Sequence, residues 1–406
     1  SLFTLANIDV NNTFNLVTPA ALDIQGDISA NDMVLNAQGN ITSGSRFNIT
    51  ADNSLDIDAS SIDLDDITVD AGTANVYAQA GSLTVDDMTI TNSDLTLLAN
   101  GQMNVLGTVW VQSGNILGDA SSIIMDAAAS LRSYVNMTLT ATDTLSLYNL
   151  SASNGTIDLD AVNAFDVNKG NISVNGLVAK NVDLDAQKNA NLISVDVNNT
   201  ATIDANSIDI DGTLAAATLN LTATNGINQN AKLTATSATI DSGNGSYTVD
   251  ADMTVSGTLN ITDSNKVVID TDHTVKAGSL VANVDDWDSS ASRLIWVSGD
   301  AVITSASDIA LGKNLADNLT LNAGNDVSFS DQVVTNNNMV LNAGQDVHIT
   351  EAVIHTAFDN LVVTSANIYM VADSEWNVIG SASLEASNDI ELALMTVRGD
   401  GSVSLG

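Results

Sequence analysis

The chain has 406 residues and no cysteine, which excludes disulfide bonds, thiol catalysis and cysteine-bound metals. Its 49 acidic and 11 basic residues give a formal net charge of −38, which argues against nucleic acids and anionic membranes as partners. The single proline, Pro19, and the aromatic content of 4% favour a strand-rich fold with an aliphatic core, because proline interrupts sheet ladders.

A repeat with a period of about 20 residues runs along the whole chain, which is typical of solenoid proteins. Its core is a nine-residue pattern with apolar residues at positions 1, 3 and 9 and most often alanine at position 5. Two clear copies begin at Leu319 and Met339. In all, copies of the pattern begin at Phe14, Met33, Phe47, Ala74, Leu95, Ile123, Met137, Ile157, Val182, Ala201, Leu219, Ala238, Leu259, Ala301, Leu319, Met339, Leu361 and Ala382.

The alternation of apolar and polar positions predicts short strands with one buried face. The glycine, asparagine and aspartate that follow each strand are suited to tight corners. A second short apolar pair often follows, so each turn of the chain should hold two or three strands. Stacked turns bury one continuous core, and the sequence therefore predicts an all-β, single-stranded parallel β-helix of about 20 coils.

The period predicts one continuous domain over residues 1–406, with an irregular coil around residues 264–300 where the pattern is hard to phase. Because the pattern is still in phase at Leu405, we expect this chain to be a segment of a longer protein. The residue after each core aliphatic is polar, as at Asn322 and Asn342, which predicts a hydrogen-bonded ladder between coils.

Aspartates concentrate in two regions of the first half of the chain. Asp63 and Asp65 belong to a dense acidic stretch, and Asp160, Asp185 and Asp204 should stack on one outer face across successive coils. Stacked carboxylates repel one another, and a bound calcium ion would relieve that repulsion. These five aspartates are therefore candidate calcium ligands, although the known calcium-loop motifs are absent and a solvated acidic face explains them as well.

Trp287 lies among aspartates where the repeat is broken, between the copies at Leu259 and Ala301. If it is exposed, Trp287 is a candidate for stacking on a sugar ring. A tryptophan that fills a wide coil is the alternative interpretation.

The three histidines, His273, His348 and His355, are scattered and predict neither a metal site nor a catalytic triad. His348 alternates with apolar neighbours and should point outward. Near the end of the chain, Arg398, Gly399 and Asp400 form an integrin-type tripeptide, a further candidate for ligand binding. An ordinary corner of the β-helix is the alternative there.

The repeats beginning at Leu319 and Met339 resemble those of filamentous-haemagglutinin-like exoproteins, over essentially the whole chain. The resemblance implies a right-handed β-helix, secretion of the full-length protein with an outer-membrane partner, and an extracellular or cell-surface location. It also implies an adhesin function, as in the biofilm-matrix adhesins of that class.

The sequence thus favours a non-enzymatic, structural or adhesive segment that contacts extracellular polysaccharide, a cell surface or other copies of the rod, and not nucleic acid. The alternative is a β-helix polysaccharide lyase or glycoside hydrolase. Such a lyase needs a basic groove, and we expect none, because Arg46, Arg132, Arg293 and Arg398 are far apart in sequence and no lysine cluster is visible. A threonine-rich ice-binding face is a third idea, but aspartates interrupt its columns.

Overall fold

A computed structural model describes residues 2–43, 48–69, 72–163, 169–270, 272–350, 354–398 and 401–406. These residues form parallel strands and turns without a helix, so the prediction of an all-β parallel β-helix is confirmed. The chain divides into two compact units, residues 1–206 and 207–406, which together hold about 18 turns. The prediction of one continuous domain stays a prediction. Among the described residues there is no helix of the length and apolarity that a membrane span requires.

The strands of the first unit are short, apart from two long runs that bend through corners. They are β1 (Leu2–Leu5), β2 (Ile8–Thr18), β3 (Ala21–Ile24), β4 (Ile28–Ala37), β5 (Ile41–Ser43), β6 (Ile49–Ala59), β7 (Ile62–Leu64), β8 (Ile67–Val69), β9 (Gly72–Ala78), β10 (Leu83–Val85), β11 (Met88–Ile90), β12 (Ser93–Ala99), β13 (Gln102–Val105), β14 (Thr108–Val111), β15 (Ile116–Met125), β16 (Ser130–Ser133), β17 (Met137–Ala161) and β18 (Asn171–Ile210), whose end belongs to the second unit.

The second unit repeats the same plan. Its strands are β19 (Leu214–Ala223), β20 (Ile227–Gln229), β21 (Leu233–Asp241), β22 (Ser246–Val249), β23 (Met253–Ile269), β24 (Thr274–Ser289), β25 (Leu294–Val297), β26 (Asp300–Ser305), β27 (Ile309–Leu311), β28 (Asn314–Ala316), β29 (Asn318–Ala323), β30 (Val327–Phe329), β31 (Val333–Thr335), β32 (Met339–Ala343), β33 (Asp346–Ile349), β34 (Ile354–Ala357), β35 (Leu361–Ser365), β36 (Asn367–Met370), β37 (Glu375–Val378), β38 (Ala382–Ala386), β39 (Ile390–Glu391), β40 (Leu394–Val397) and β41 (Val403–Leu405).

Each turn of the second unit contributes three strands to three parallel stacks. The first stack pairs β26, β29, β32, β35 and β38 in order. The second pairs β27, β30, β33, β36 and β39, and the third pairs β25, β28, β31, β34, β37 and β40. Equivalent residues on neighbouring turns lie 18 to 22 residues apart in sequence, which is the repeat seen in the chain.

The pairing corrects the phase of the repeat at three places. Leu280 pairs with both Leu259 and Ala301, so it begins the copy that is missing from the region around 264–300. The third position of that copy is Ala282, whereas the other copies have a larger aliphatic residue there. In the first unit Leu55 pairs with Met33, and Ile116 pairs with Leu95. They begin the copies there instead of Ile123 and of Phe47, which lies outside the described residues. The turn that follows Met33 is longer than the predicted starts imply (55 − 33 = 22 residues), and the turn that follows Leu95 is shorter (116 − 95 = 21 residues).

Inward residues of each turn form continuous aliphatic columns, such as Ile303, Leu321, Leu341 and Val363, all nearly inaccessible to solvent. This burial supplies most of the driving force for folding, since no turn can bury its apolar residues alone.

The predicted ladder between turns is present on the outer face. The Asn342 amide donates to Asn322 Oδ1 at 2.8 Å, and Asn322 donates to the Thr304 hydroxyl. A second ladder runs through Asn318, Asn338 and Asn360, where each amide donates to the side-chain oxygen of the preceding turn.

Corners are built by residues in the left-handed region of backbone conformation. Asn149 has φ of 50° and its amide donates to the Ala129 carbonyl of the preceding turn at 2.9 Å. On the next turn the corner is occupied by Gly176, with φ of 83°. Asparagine and glycine tolerate this conformation best, as the composition of the repeat indicated.

Candidate functional site

Four of the eleven basic residues of this acidic chain converge on one cleft in the second unit. The cleft has a volume of about 540 Å³, and its lining consists of Lys232, Asp252, Met253, Thr254, Thr274, Lys276, Arg293, Leu294 and Lys313. We call it the cationic cleft. The arginine and the three lysines are up to 81 residues apart in sequence (313 − 232), so only the stacking of turns brings them together.

Parallel pairing explains the convergence. Core residues Leu233, Met253, Val275, Ile295 and Asn314 form one inward column across successive turns. The residue before each of them therefore faces outward at the same place on each turn, and Lys232 and Lys313 occupy the two ends of this outer column. With turns roughly 4.8 Å apart, the two ends are on the order of 19 Å apart along the stack.

The four cations of the cleft are exposed and open to an external anion. None of them forms an ion pair with a described residue; the described lysine ion pairs are Lys169 with Asp143, and Lys266 with Asp286 and Asp288. Asp252 is the acidic residue of the lining, and its Oδ1 accepts a hydrogen bond from the Thr274 N–H at 2.8 Å. The cleft is thus a local concentration of positive charge on a strongly negative chain.

An exposed tryptophan lies beside the cationic cleft. Trp296 is the register partner of Lys276, and its side chain is 42% exposed. The Lys276 ammonium lies 5.5 Å from the centre of the Trp296 ring, within the range of a cation–π contact. A smaller hollow of about 200 Å³, shared by Thr254, Lys276 and Trp296, continues the cleft across this ring.

The structure corrects the interpretation of Trp287 as an exposed sugar-stacking residue. Trp287 is 1% exposed and its indole N–H donates to the Ser289 hydroxyl at 2.9 Å, so it fills a wide coil. Trp296, nine residues later (296 − 287), is the exposed aromatic residue of this region.

A larger groove of about 840 Å³ lies elsewhere on the second unit and is lined by asparagine, serine, threonine and aspartate, with neither a basic nor an aromatic residue in its lining. It offers hydrogen bonds but no complementary charge for an anion. The cationic cleft is therefore the more specific of the two candidate sites.

The predicted calcium ligands lie on two separate parts of the first unit. Asp160 pairs in register with Asp185, and Asp158 pairs with Asp183, so the predicted stacking of carboxylates is present. Asp63 is exposed on β7, Asp65 lies at the following corner, and Asp204 is exposed on β18. None of the five predicted residues belongs to a group of three described carboxylate or imidazole side chains whose ligand atoms lie within 4.8 Å of one another. Calcium binding stays a prediction.

Burial and neighbouring charges raise the pKa of three carboxyl groups in these two parts of the first unit. Partial burial, and then the charge of Asp183, raises the pKa of Asp158. Burial followed by the charges of Asp185 and Asp158 raises the pKa of Asp160. Around the corner at Asp65, burial followed by neighbouring aspartates raises the pKa in the same way. These carboxylates are therefore under repulsion at neutral pH.

At the integrin-type tripeptide, Arg398 is exposed and its backbone N–H donates to the Val378 carbonyl at 2.8 Å. Gly399 and Asp400 lie outside the described residues, so the geometry of the tripeptide is not defined.

The expectation that no basic groove exists is wrong. It rested on the distances between basic residues in sequence. What decides whether such residues meet is whether they occupy the same position on successive turns. Lys232 and Lys313 each immediately precede an inward residue, but Leu233 and Asn314 lie outside the nine-residue pattern by which the repeat was recognised. If the repeat copy that begins at Leu280 is recognised, the turns between Leu259 and Ala301 can be aligned, and the outer column that holds Lys232 and Lys313 can be read from the sequence.

Neither protein-family models, nor curated proteins, nor solved structures gave a match to this chain.

Proposed function

We propose that this chain is a structural and adhesive segment of a secreted bacterial surface protein, which attaches to acidic extracellular polysaccharide through the cationic cleft. The single observation that carries the proposal is the convergence of Lys232, Lys276, Arg293 and Lys313 beside exposed Trp296. The parallel β-helix fold is consistent with a structural role, and the resemblance of the repeats to exoproteins supports an extracellular location.

The chemistry of the cleft fits an acidic sugar polymer. Carboxylate or sulfate groups can pair with the unpaired cations, while a sugar ring presents its C–H face to the Trp296 indole. Four cations distributed over several turns match a ligand whose charges are also distributed along a chain.

The net charge of −38 opposes any polyanion at long range. At physiological ionic strength, however, the Debye length is about 8 Å, so charges beyond that distance contribute little. The cations of the cleft act within that distance, and the local attraction should prevail. That nucleic acids are not partners stays a prediction from the net charge of the chain.

A glycoside-hydrolase function is not favoured by the cleft, whereas the basic groove that the lyase alternative needs is present there. Hydrolysis of a glycosidic bond generally requires two carboxyl groups placed across it. Asp252 is the acidic residue among those that line the cleft, and Thr274 already occupies its Oδ1.

The test is binding of the purified chain to immobilised polygalacturonate and dextran sulfate, with neutral dextran as the reference polymer. We expect the double variant Lys276→Gln/Arg293→Gln to bind both polyanions about tenfold more weakly, and Trp296→Ala to weaken polygalacturonate more than dextran sulfate. The matched control is Arg132→Gln/Lys180→Gln, which removes the same charge from exposed positions in the first unit. If both double variants lost the same affinity for the polyanions, the effect would come from net charge alone, and the assignment of the cleft as the binding site would be wrong.

A further inference from the structure

Two carboxylates and one imidazole converge on the second stack of strands in the second unit. Ligand atoms of Asp326, Asp346 and His348 all lie within 4.8 Å of one another. Asp326 immediately precedes β30, whereas Asp346 and His348 are the first and third residues of β33 on the next turn. All three side chains are partly exposed. His348 is partly exposed, in line with the prediction that it points outward, and two carboxylates lie beside it.

Hydrogen bonds hold both carboxylates, one from the backbone of the cluster itself and one from a residue outside it. Asp326 Oδ1 accepts from the Asp346 N–H at 2.9 Å, and Asp346 Oδ1 accepts from the Asn367 amide at 2.6 Å. The Oδ2 atom of Asp346 is then directed toward His348, 3.6 Å from its Nε2. Such outer contacts orient the ligands of metal sites and account for much of their affinity.

The imidazole ring is fixed by packing. His348 and Tyr369 are register partners on neighbouring turns, and their rings stack with centroids 5.4 Å apart and an interplanar angle of 17°. The ring therefore has little rotational freedom to lose on binding a ligand through Nε2.

The separation of the His348 and Asp346 atoms fits two ligands of one metal ion. At 3.6 Å it is longer than a charge-assisted hydrogen bond of about 2.7–2.9 Å. Two nitrogen or oxygen ligands bound tetrahedrally at about 2.0–2.1 Å lie about 3.3 Å from each other. A shift of a few tenths of an ångström would bring this pair to that distance.

The surroundings favour a cation. A groove of about 260 Å³ runs up to the cluster and is lined by Asp286, Asp288 and Asp308 as well as by Asp326 and His348. The single lysine of the groove, Lys266, is paired with Asp286 at 3.0 Å and with Asp288 at 3.5 Å. The remaining aspartates keep the groove negative.

We propose that Asp326, Asp346 and His348 form a binding site for a divalent transition-metal ion of the zinc class. Imidazole nitrogen is a preferred ligand of zinc and its neighbours but not of calcium or magnesium, which bind oxygen. Three protein ligands leave a coordination position open toward the groove, and the ion would link two adjacent turns of the β-helix. This proposal does not depend on the cationic cleft.

The test is a calorimetric titration of the whole chain with zinc chloride, and in parallel with calcium chloride. We expect one saturable zinc site, weakened at least tenfold by His348→Gln and by Asp326→Asn. His273→Gln is the matched control, because it removes a partly exposed histidine of the same unit. Zinc should also raise the thermal midpoint of the wild-type chain, and His348→Gln should abolish that rise.

Absence of saturable zinc binding in the millimolar range would overturn the proposal. So would zinc binding that His348→Gln and His273→Gln reduce equally, since the ion would then bind diffusely to surface groups. Calcium binding with zinc-like affinity that survives His348→Gln would overturn it as well, and would leave His348 and Asp346 as an ordinary ion pair.

Discussion

His355 is the residue of the core whose chemistry differs most from that of its aliphatic neighbours. It is fully buried, its Nδ1 accepts a hydrogen bond from the Val333 N–H at 3.3 Å, and its ring contacts Phe329 with centroids 5.2 Å apart. Because Nδ1 is an acceptor, the neutral ring carries its proton on Nε2. Burial lowers the pKa of His355 to about 4, and the charge of Asp331 opposes this shift only in part. At neutral pH the core of this turn therefore contains a histidine in its neutral form.

We predict that His355 makes the second unit acid-sensitive. Its pKa is about 6.5 when unfolded and about 4 when folded, so the unfolded chain binds the proton first. Stability should therefore decline as pH falls from about 6.5 to about 4, by about 3 kcal/mol from this residue alone. The measurement is the urea midpoint against pH for the wild type and for His355→Leu, with tryptophan fluorescence as the probe.

The comparison rests on how steeply stability changes with pH rather than on the stability at one pH. The reason is that His355→Leu also leaves the Val333 N–H without its acceptor and so lowers stability at every pH. The variant should lose stability at pH 7 but vary less between pH 6.5 and 4. His273→Leu is the control, since that histidine is partly exposed. Identical slopes in wild type and His355→Leu would show that the histidine is not buried in its neutral form.

At the scale of single elements, each short strand is held by two kinds of contact with the turns above and below. The inward residues form apolar columns, and the outward residues form polar ladders. The ladder chemistry differs between the units: Asn318, Asn338 and Asn360 are linked amide to amide, whereas Asp158 and Asp183 place like charges side by side. Amide ladders stabilise the stack, and carboxylate ladders oppose it.

Asn338→Ala should destabilise the second unit by about 1–2 kcal/mol, since it removes hydrogen bonds to both neighbouring turns. The Asn338 amide donates to Asn318 Oδ1 at 3.1 Å, and its own Oδ1 accepts from the Asn360 amide at 3.0 Å. Asn337→Ala is the control, because Asn337 is exposed on the same turn and its side chain forms no described hydrogen bond. Chemical denaturation of both variants measures the difference, and equal stability would mean that the ladder contributes nothing.

Asp158→Asn should have the opposite sign and raise the thermal midpoint at pH 7 by about 1–2 °C. Partial burial, and then the charge of Asp183, raises the pKa of Asp158, so its ionised form is disfavoured in the folded chain. Removing the charge relieves both the cost of desolvation and the repulsion from Asp183. The gain should shrink in high salt, and it should also shrink at acidic pH, where the Asp158 carboxyl is protonated and the wild type no longer carries this charge. Asp196→Asn, an exposed aspartate of the same unit, is the control. A lower midpoint would contradict this prediction and would indicate that the ionised Asp158 carboxylate has a stabilising partner.

At the scale of the whole molecule, the main feature is an uneven distribution of charge. The chain carries 49 acidic residues, yet four of its eleven basic residues meet at the cationic cleft.

The strand periodicity, the corner residues and the asparagine ladder could be predicted from the sequence, because each depends on residues close together in one repeat. The cleft could not, because turn lengths of 18 to 22 residues vary the spacing of the repeat and the copy that begins at Leu280 has alanine at its third position. Which of Trp287 and Trp296 is exposed could not be predicted either, since burial depends on which side of its strand each residue occupies.

The most direct test of the central claim is zero-length carbodiimide cross-linking of the chain to an oligogalacturonide, mapped by mass spectrometry. The reaction joins a lysine amine to a carboxylate only where the two are in contact, so it reports the footprint of the ligand. The account predicts sugar-linked peptides at Lys232, Lys276 and Lys313, lost when unlabelled polygalacturonate is added, with little modification at exposed Lys180. Equal modification of Lys180 and the three cleft lysines would contradict it.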